Sequence, residues 1–341
     1  MKNFVRLFFL CFLLAGLSRC EATDRVVSKE VDDGKDGGNP GATDTDTDSD
    51  GDDDGDFDAG SSSDDGCSSM DILFVIDDSD SMKEEQDNLI ANFPKFIEVL
   101  EAYKTSADTQ LEYRVGVTTT GVVRKYTQQS STGFGMPQKT DGPDGALQGQ
   151  SKCGLDEPWI DGPGPDVADD FSCIANVGIE GEVHEMPFAA MQLALGTKSE
   201  SGGPNEGFYR RDEDSLLVVV FITDEDDCSV EEGGTIVIPL SSDYNCGGPK
   251  DIGIYKADDM KAWLDDLAGG TGRYVVIGIA GIDKCDSSFG GAKDARRIEE
   301  LIEKCGEYGV MGDICSGDLW ISLDEALDIM KITCEDMPTI E

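Results

Sequence analysis

Seven apolar residues in a row, Leu216 to Ile222, constrain this chain more than any other segment. The run is too short for a membrane span and reads as a strand at the centre of a sheet covered on both faces. A second apolar run, Ile72 to Ile76, has the same character. Each run stops abruptly at polar residues. The first-coming one ends at Asp77-Asp78-Ser79-Asp80-Ser81, the later one at Thr223-Asp224-Glu225-Asp226-Asp227.

Between and after these runs the periodicity switches to helical. Leu89, Phe93, Phe96, Ile97 and Leu100 form one stripe, which Pro94 interrupts and should kink. Pro187 to Leu195 reads as a short helix. Met260, Trp263, Leu264 and Leu267 form a further stripe, as do Ile298, Leu301, Ile302 and Cys305. Tyr113–Thr118 and Tyr274–Ile279 are further strands, and Ser322–Cys334 reads as a closing helix with Ser322 and Glu325 placed as a capping box. Such alternation predicts a doubly wound, Rossmann-like and mainly parallel sheet with helices on both faces. Residues 121–180 and 225–250 lack this periodicity and read as irregular insertions; both follow strands and should lie at the sheet's carboxyl end.

In such sheets ligands bind just beyond the carboxyl ends of the strands. Asp77, Ser79 and Ser81 at alternate positions offer one charged and two neutral oxygens, a donor set for a hard divalent cation. A helix N-terminus would also favour Ser and Asp, but it accounts for only one or two of five polar residues. This Asp-x-Ser-x-Ser pattern resembles the metal site of von Willebrand factor A (VWA) domains, and the resemblance spans about residues 68–335. It implies that Asp77, Ser79, Ser81 and Asp224 surround the ion, Mg2+ foremost, with Mn2+ or Ca2+ as alternatives. It implies that a vacant coordination position takes an acidic side chain of a protein ligand. The family's Thr ligand has no match before the Pro187 helix. Glu182 is the preferred substitute, with Glu180 and Glu185 as alternatives and Thr118, Thr119 and Thr120 as other hydroxyl sources. His184 reads as packing at the start of that helix, and the run Glu225 to Asp227 as a solvated loop.

The chain has 341 residues and a net charge of −44. Residues 21–66 hold 17 acids against 3 bases and almost no apolar residues, so they form a disordered acidic linker ahead of a domain at 67–341. Asp46, Asp48, Asp50, Gly51 and Asp54 open like a calcium loop, but Phe57 stands where the bidentate Glu belongs. So acidic a surface excludes nucleic acid as a partner. Residues 1–20 read as a signal peptide, basic at Lys2 and Arg6 and apolar from Leu7 to Leu17. Cys20 sits as in a lipoprotein cleavage box, so the expected location is the cell envelope, lipid-anchored at an outer membrane or the cell surface. A membrane contact is expected only through that anchor.

Nine further cysteines follow, Cys67, Cys153, Cys173, Cys228, Cys246, Cys285, Cys305, Cys315 and Cys334. In an exported chain with a single histidine and no C-x-x-C spacing they read as disulfides rather than zinc ligands. Cys153 with Cys173, Cys228 with Cys246, and Cys67 with Cys334 are candidate pairs; an odd count leaves at least one thiol over. The expected function is a metal-binding docking module and not an enzyme. A metal-stabilised structural envelope protein and a metal-dependent phosphatase are the alternatives. No nucleophile, base and orienter set is visible.

Overall fold

A computed structural model describes residues 66–105, 108–211, 213–239, 246–287, 290–317 and 319–338. The signal peptide, Cys20, the calcium-like Asp run and nearly all of the linker lie outside the described residues. In chain order the elements are β1 (Ser69–Ile76), α1 (Lys83–Ala102), β2 (Glu112–Thr119), β3 (Lys125–Ser130), β4 (Gly135–Lys139), α2 (Gln150–Cys153), β5 (Ile160–Gly162), α3 (Val167–Ile174) and α4 (Pro187–Leu195). There follow β6 (Ser215–Ile222), β7 (Val230–Ile238), β8 (Ile252–Ile254), α5 (Ala257–Ala268), β9 (Tyr274–Ala280), β10 (Cys285–Ser287), β11 (Gly290–Ala292), α6 (Arg296–Cys305), β12 (Gly309–Asp313) and α7 (Leu319–Glu335).

The two apolar runs become neighbouring central strands. The six-stranded sheet has the order β12-β9-β6-β1-β2-β5, and every pairing is parallel except that of the short edge strand β5. Every residue of β1 and β6 is buried. One face packs α1, α3 and α7 around Phe74, Phe93, Phe96 and Phe171. The other packs α4, α5 and α6 around Phe188, Phe221, Leu264 and Leu301. Chain progression reverses at β1 and β6, because β2 lies to one side and β9 to the other. That reversal opens a crevice at the carboxyl ends of β1 and β6. The register pairs Ile76 with Ile222, which brings Asp77 level with Thr223.

Four sequence expectations change. The insertions are not irregular: β3, β4, β7 and β8 form a second, four-stranded sheet in which β3 from one insertion pairs in parallel with β7 from the other. The first half is a β3–β4 hairpin and the second pairs β7 with β8, and only the β3–β7 pairing joins them into one sheet. Helix α1 runs unbroken through Pro94. Ser322 is no cap, because α7 begins at Leu319 and Ser322 is buried within it; a Cβ on Gly312 would fall 2.3 Å from its Oγ, which explains the small residue there. The acidic stretch after β6 is no solvated loop: Asp226 and Asp227 are buried. Arg297 Nη2 lies 2.9 Å from Asp227 Oδ2, and the Phe188 and Ala189 amides donate to Asp227 Oδ1 and Ser229 Oγ at 3.1 and 2.9 Å. These acceptors cap α4, which has no side-chain cap of its own.

The three expected disulfides form, Cys67–Cys334, Cys153–Cys173 and Cys228–Cys246. A fourth joins Cys285 to Cys315, and Cys305 is left as a buried thiol. Among the described residues no helix is long and apolar enough to cross a membrane.

Candidate metal centre

The site begins where β1 runs out of apolar residues. Asp77 continues the strand pairing, its amide donating to the Ile222 carbonyl at 2.9 Å, and its side chain is fully buried. The chain then turns sharply, and the Ser79 amide donates back to Asp77 Oδ1 at 2.8 Å. From the end of β6, Thr223 Oγ1 donates to Asp77 Oδ2 at 2.6 Å. Gln86, on the first turns of α1, clamps the turn from below by donating to the Asp77 and Gly178 carbonyls at 2.9 and 2.8 Å.

The two serines lie side by side, with Oγ atoms 3.3 Å apart. Ser79 is half-buried and Ser81 exposed, so this side of the crevice is open to solvent. Asp224 hydrogen-bonds Ser81 from the opposite strand end. It is 3 % exposed, and its Oδ1 has no hydrogen-bond partner. The structure therefore gathers Asp77, Ser79, Ser81 and Asp224, predicted from two segments 143 or more residues apart, around one crevice.

The segment before α4 divides its three acids. Glu180 is exposed. Glu182 is half-buried, and its Oε1 accepts from the Asp141 amide at 3.0 Å. Glu185 is 1 % exposed and its Oε2 accepts from Thr120 Oγ1. Its Oε1 has no hydrogen-bond partner. The like charge that acts on it most is Asp77. Glu182, singled out by sequence, thus bonds the β4–α2 connection, and Glu185 is the acid that is buried, against Thr120. The distinguishing signal is position: Glu185 directly precedes the Met186-Pro187 start of a helix, where the chain is pinned at both sides. The Met186 amide donates to Thr120 O at 3.3 Å and the Cys228 amide to Glu185 O at 2.7 Å. Of the other hydroxyl sources, Thr118 Oγ1 donates to Ala146 O and Thr119 Oγ1 accepts from the Gly121 amide, at 3.1 Å in both cases. His184 does pack near the start of its helix, its Nδ1 3.2 Å from the Tyr126 hydroxyl, and burial lowers its pKa.

Crowding of buried acids sets the electrostatics. Burial lifts Asp77 to about 6 despite the hydrogen bonds from Thr223 and Ser79. Asp224 rises to about 7 through burial and then the charge of Asp77. Burial and Asp77 push Glu185 well above the usual carboxylate range. Glu85, on the first turn of α1, is lifted to about 7 by burial and, more weakly, by Asp224; its Oε2 is also unpartnered. Buried carboxylate oxygens without donors are costly, and a divalent cation would satisfy them. The donor set, carboxylates and hydroxyls without nitrogen or sulfur, suits Mg2+, Mn2+ or Ca2+. Elsewhere, Cys285, Asp313 and Cys315 cluster as potential ligands, but both sulfurs are spent in their disulfide.

No family model and no curated protein matches the chain. Among solved structures it is similar to proximal thread matrix protein 1 from the mussel byssus (11 % identity, TM-score 0.37, covering 78 % of this chain and 49 % of that one). It is similar to the same protein with a zinc-occupied MIDAS motif (12 %, 0.38, 78 % and 49 %). A third is the pilus adhesin SpaC from Lactobacillus rhamnosus GG (11 %, 0.37, 77 % and 31 %). The chain spans about half of the first protein's length and less of the adhesin's.

Proposed function

We propose that this protein is an exported, VWA-like docking module that holds a divalent cation at the carboxyl ends of β1 and β6. Asp77, Ser79, Ser81 and Asp224 hold the ion, directly or through water, and a protein partner reaches it from the solvent side. The observation that carries this reading is the unpartnered Oδ1 of buried Asp224, hydrogen-bonded through its carboxylate to Ser81, which lies beside Ser79 on the turn folded back onto Asp77. A bound cation supplies a strong, directional point of attachment for an oxygen ligand. The chain's own groups place it: Thr223 and the Ser79 amide orient Asp77, and Gln86 fixes the turn that carries both serines.

Export is supported by four disulfides among the described residues, which persist in oxidising compartments. A lipid anchor on Cys20 is part of the proposal; globomycin-sensitive processing and mass spectrometry of the mature N-terminus test it. Binding rather than catalysis is proposed, because the carboxylate and hydroxyl oxygens of the crevice form a donor set for a hard cation. Calorimetric titration with Mg2+ and Mn2+ tests the centre. The wild type should bind one ion, and Asp77→Ala and Asp224→Ala should each abolish binding; wild-type affinity in either variant refutes the site.

A further inference from the structure

The second sheet buries only part of its inner face. Side chains alternate along β3, so Tyr126, Gln128 and Ser130 share one face, and the register adds Met136 of β4 and Ile236 and Ile238 of β7 to it. Tyr126 and Ile236 are buried in the core. Further along, the same face is open: Met136 is 52 % exposed, and Phe134, paired with Ser130 at the hairpin turn, is 69 % exposed. Gln128, Ser130, Phe134, Met136, Ile238 and Pro239 line a groove of about 280 Å3 there. The free edge of β4 does not invite another strand. The Ser130 and Thr140 amides donate to the Phe134 and Arg124 carbonyls at 2.8 and 2.9 Å, so Pro137, out of step with these bonded pairs, turns its nitrogen to the outer edge. An edge without an N–H at its middle resists strand addition, which leaves side chains as the means of contact.

Charge marks the same hairpin. Residues 113–140 hold four bases, Arg114, Arg124, Lys125 and Lys139, and no acid, in a chain with 71 acids. Arg114 pairs with Asp161, and Arg124 donates to the Val230 carbonyl. Lys125 and Lys139 face each other across the root of the hairpin, and both are exposed. Glu232 accepts from the Lys125 amide rather than from its ammonium, and neither lysine has an ion pair among the described residues. Like charges opposed across two strands repel, and an incoming anion relieves that repulsion. We propose that the groove is a docking site for an acidic protein segment, which seats one large apolar side chain against Phe134, Met136 and Ile238 while its carboxylates face Lys125 and Lys139. Lys139 is three residues from Met136, about 10 Å at the rise of a strand, so acids flanking the seated side chain lie within a Debye length of both lysines. A concave seat fits an inserted side chain better than it fits a bilayer, and the net charge of −44 opposes an anionic membrane. The site needs no cation.

Met136 supplies the readout. The full chain is labelled with 13C-methyl methionine, and Met136→Leu identifies the Met136 signal. The probe is a capped peptide with one Phe between pairs of Asp. It should shift the Met136 signal saturably, and the same peptide with Ala for Phe should bind about tenfold or more weakly, as the loss of one buried aromatic side chain requires. Phe134→Ser, on the exposed turn, should weaken the Phe peptide to a similar degree, with circular dichroism to establish that the variant folds. Replacing the peptide's Asp by Lys, or Lys125 and Lys139 together by Gln, should weaken binding and flatten its salt dependence. Asp77→Ala should bind the peptide as wild type does, which separates this site from the cation centre. An unmoved Met136 signal, or equal binding of the Ala peptide, overturns the apolar seat. Equal binding of the Lys-flanked peptide overturns the acidic partner. A Met136 shift that grows with protein concentration alone assigns the groove to a second copy, and one produced by phosphatidylcholine vesicles assigns it to a lipid surface; either overturns the proposal.

Discussion

Asp77 and Asp224 sit at the ends of adjacent strands, and burial rather than either partner dominates both carboxyls. With pKa values near 6 and 7, each holds its proton in the folded metal-free protein at pH values where the unfolded chain has lost it. Folding therefore binds protons in this range, and stability falls as pH rises from about 4 through 7. Glu85, lifted to about 7, adds to the same slope. The metal-free protein should melt at a higher temperature at pH 5 than at pH 8, and saturating Mn2+ should remove most of the difference. Cation binding must also expel these protons. Calorimetry in buffers of different ionisation enthalpy should show more protons released at pH 6 than at pH 8.5. No pH dependence in either measurement would mean that these acids are charged in the free protein.

At the scale of the element, α4 begins without a cap of its own and borrows one from the loop after β6. Asp227 accepts from Phe188, from Ser229 and from the Arg297 guanidinium, which tethers α6 to α4. Asp227→Ala should strip this cap and leave Arg297 buried without its anion, at a cost of about 3–5 kcal/mol by denaturant unfolding. Because Asp227 lies three residues after Asp224, the same change should weaken Mn2+ binding without touching a ligand. A shift under 1 kcal/mol would show that Arg297 finds another partner. Gly181 is a second indirect support: a Cβ there would lie 2.5 Å from Asp78 Oδ1. Gly181→Ala should displace the Asp78 turn and lower cation affinity in the same titration, with little change in melting temperature.

For the whole molecule, the ends of the domain are tied by Cys67–Cys334, which closes a loop of 267 residues and joins the start of β1 to the end of α7. Removing it with paired Ser substitutions should cost about 5 kcal/mol on the chain-entropy account. Unfolding with the other three disulfides intact measures that cost. The net charge of −44 acts at this scale too. Self-repulsion is screened by salt, so the metal-free protein should gain stability between 10 and 300 mM NaCl. Acidic partners are repelled before contact, and their association should be slowest at low salt.

Much of this was legible locally. The runs Ile72–Ile76 and Leu216–Ile222, the intervening helical stripes and the polar residues that end each run specified central strands, crossovers and an oxygen-rich crevice, because burial on both faces leaves a short apolar strand few alternatives. Asp77, Ser79, Ser81 and Asp224 could be read because each lies at a fixed step from the end of such a strand. Long-range pairing determined the rest. The second sheet is completed only once β3 meets β7 more than 100 residues later, and Asp227 acts as a cap only once α4 and α6 have closed around it. Glu182 and Glu185 are three residues apart and chemically alike. Which of them turns inward depended on Thr120 and Cys228 arriving from other strand ends, since the direction of a side chain on an irregular segment is set by what packs against it.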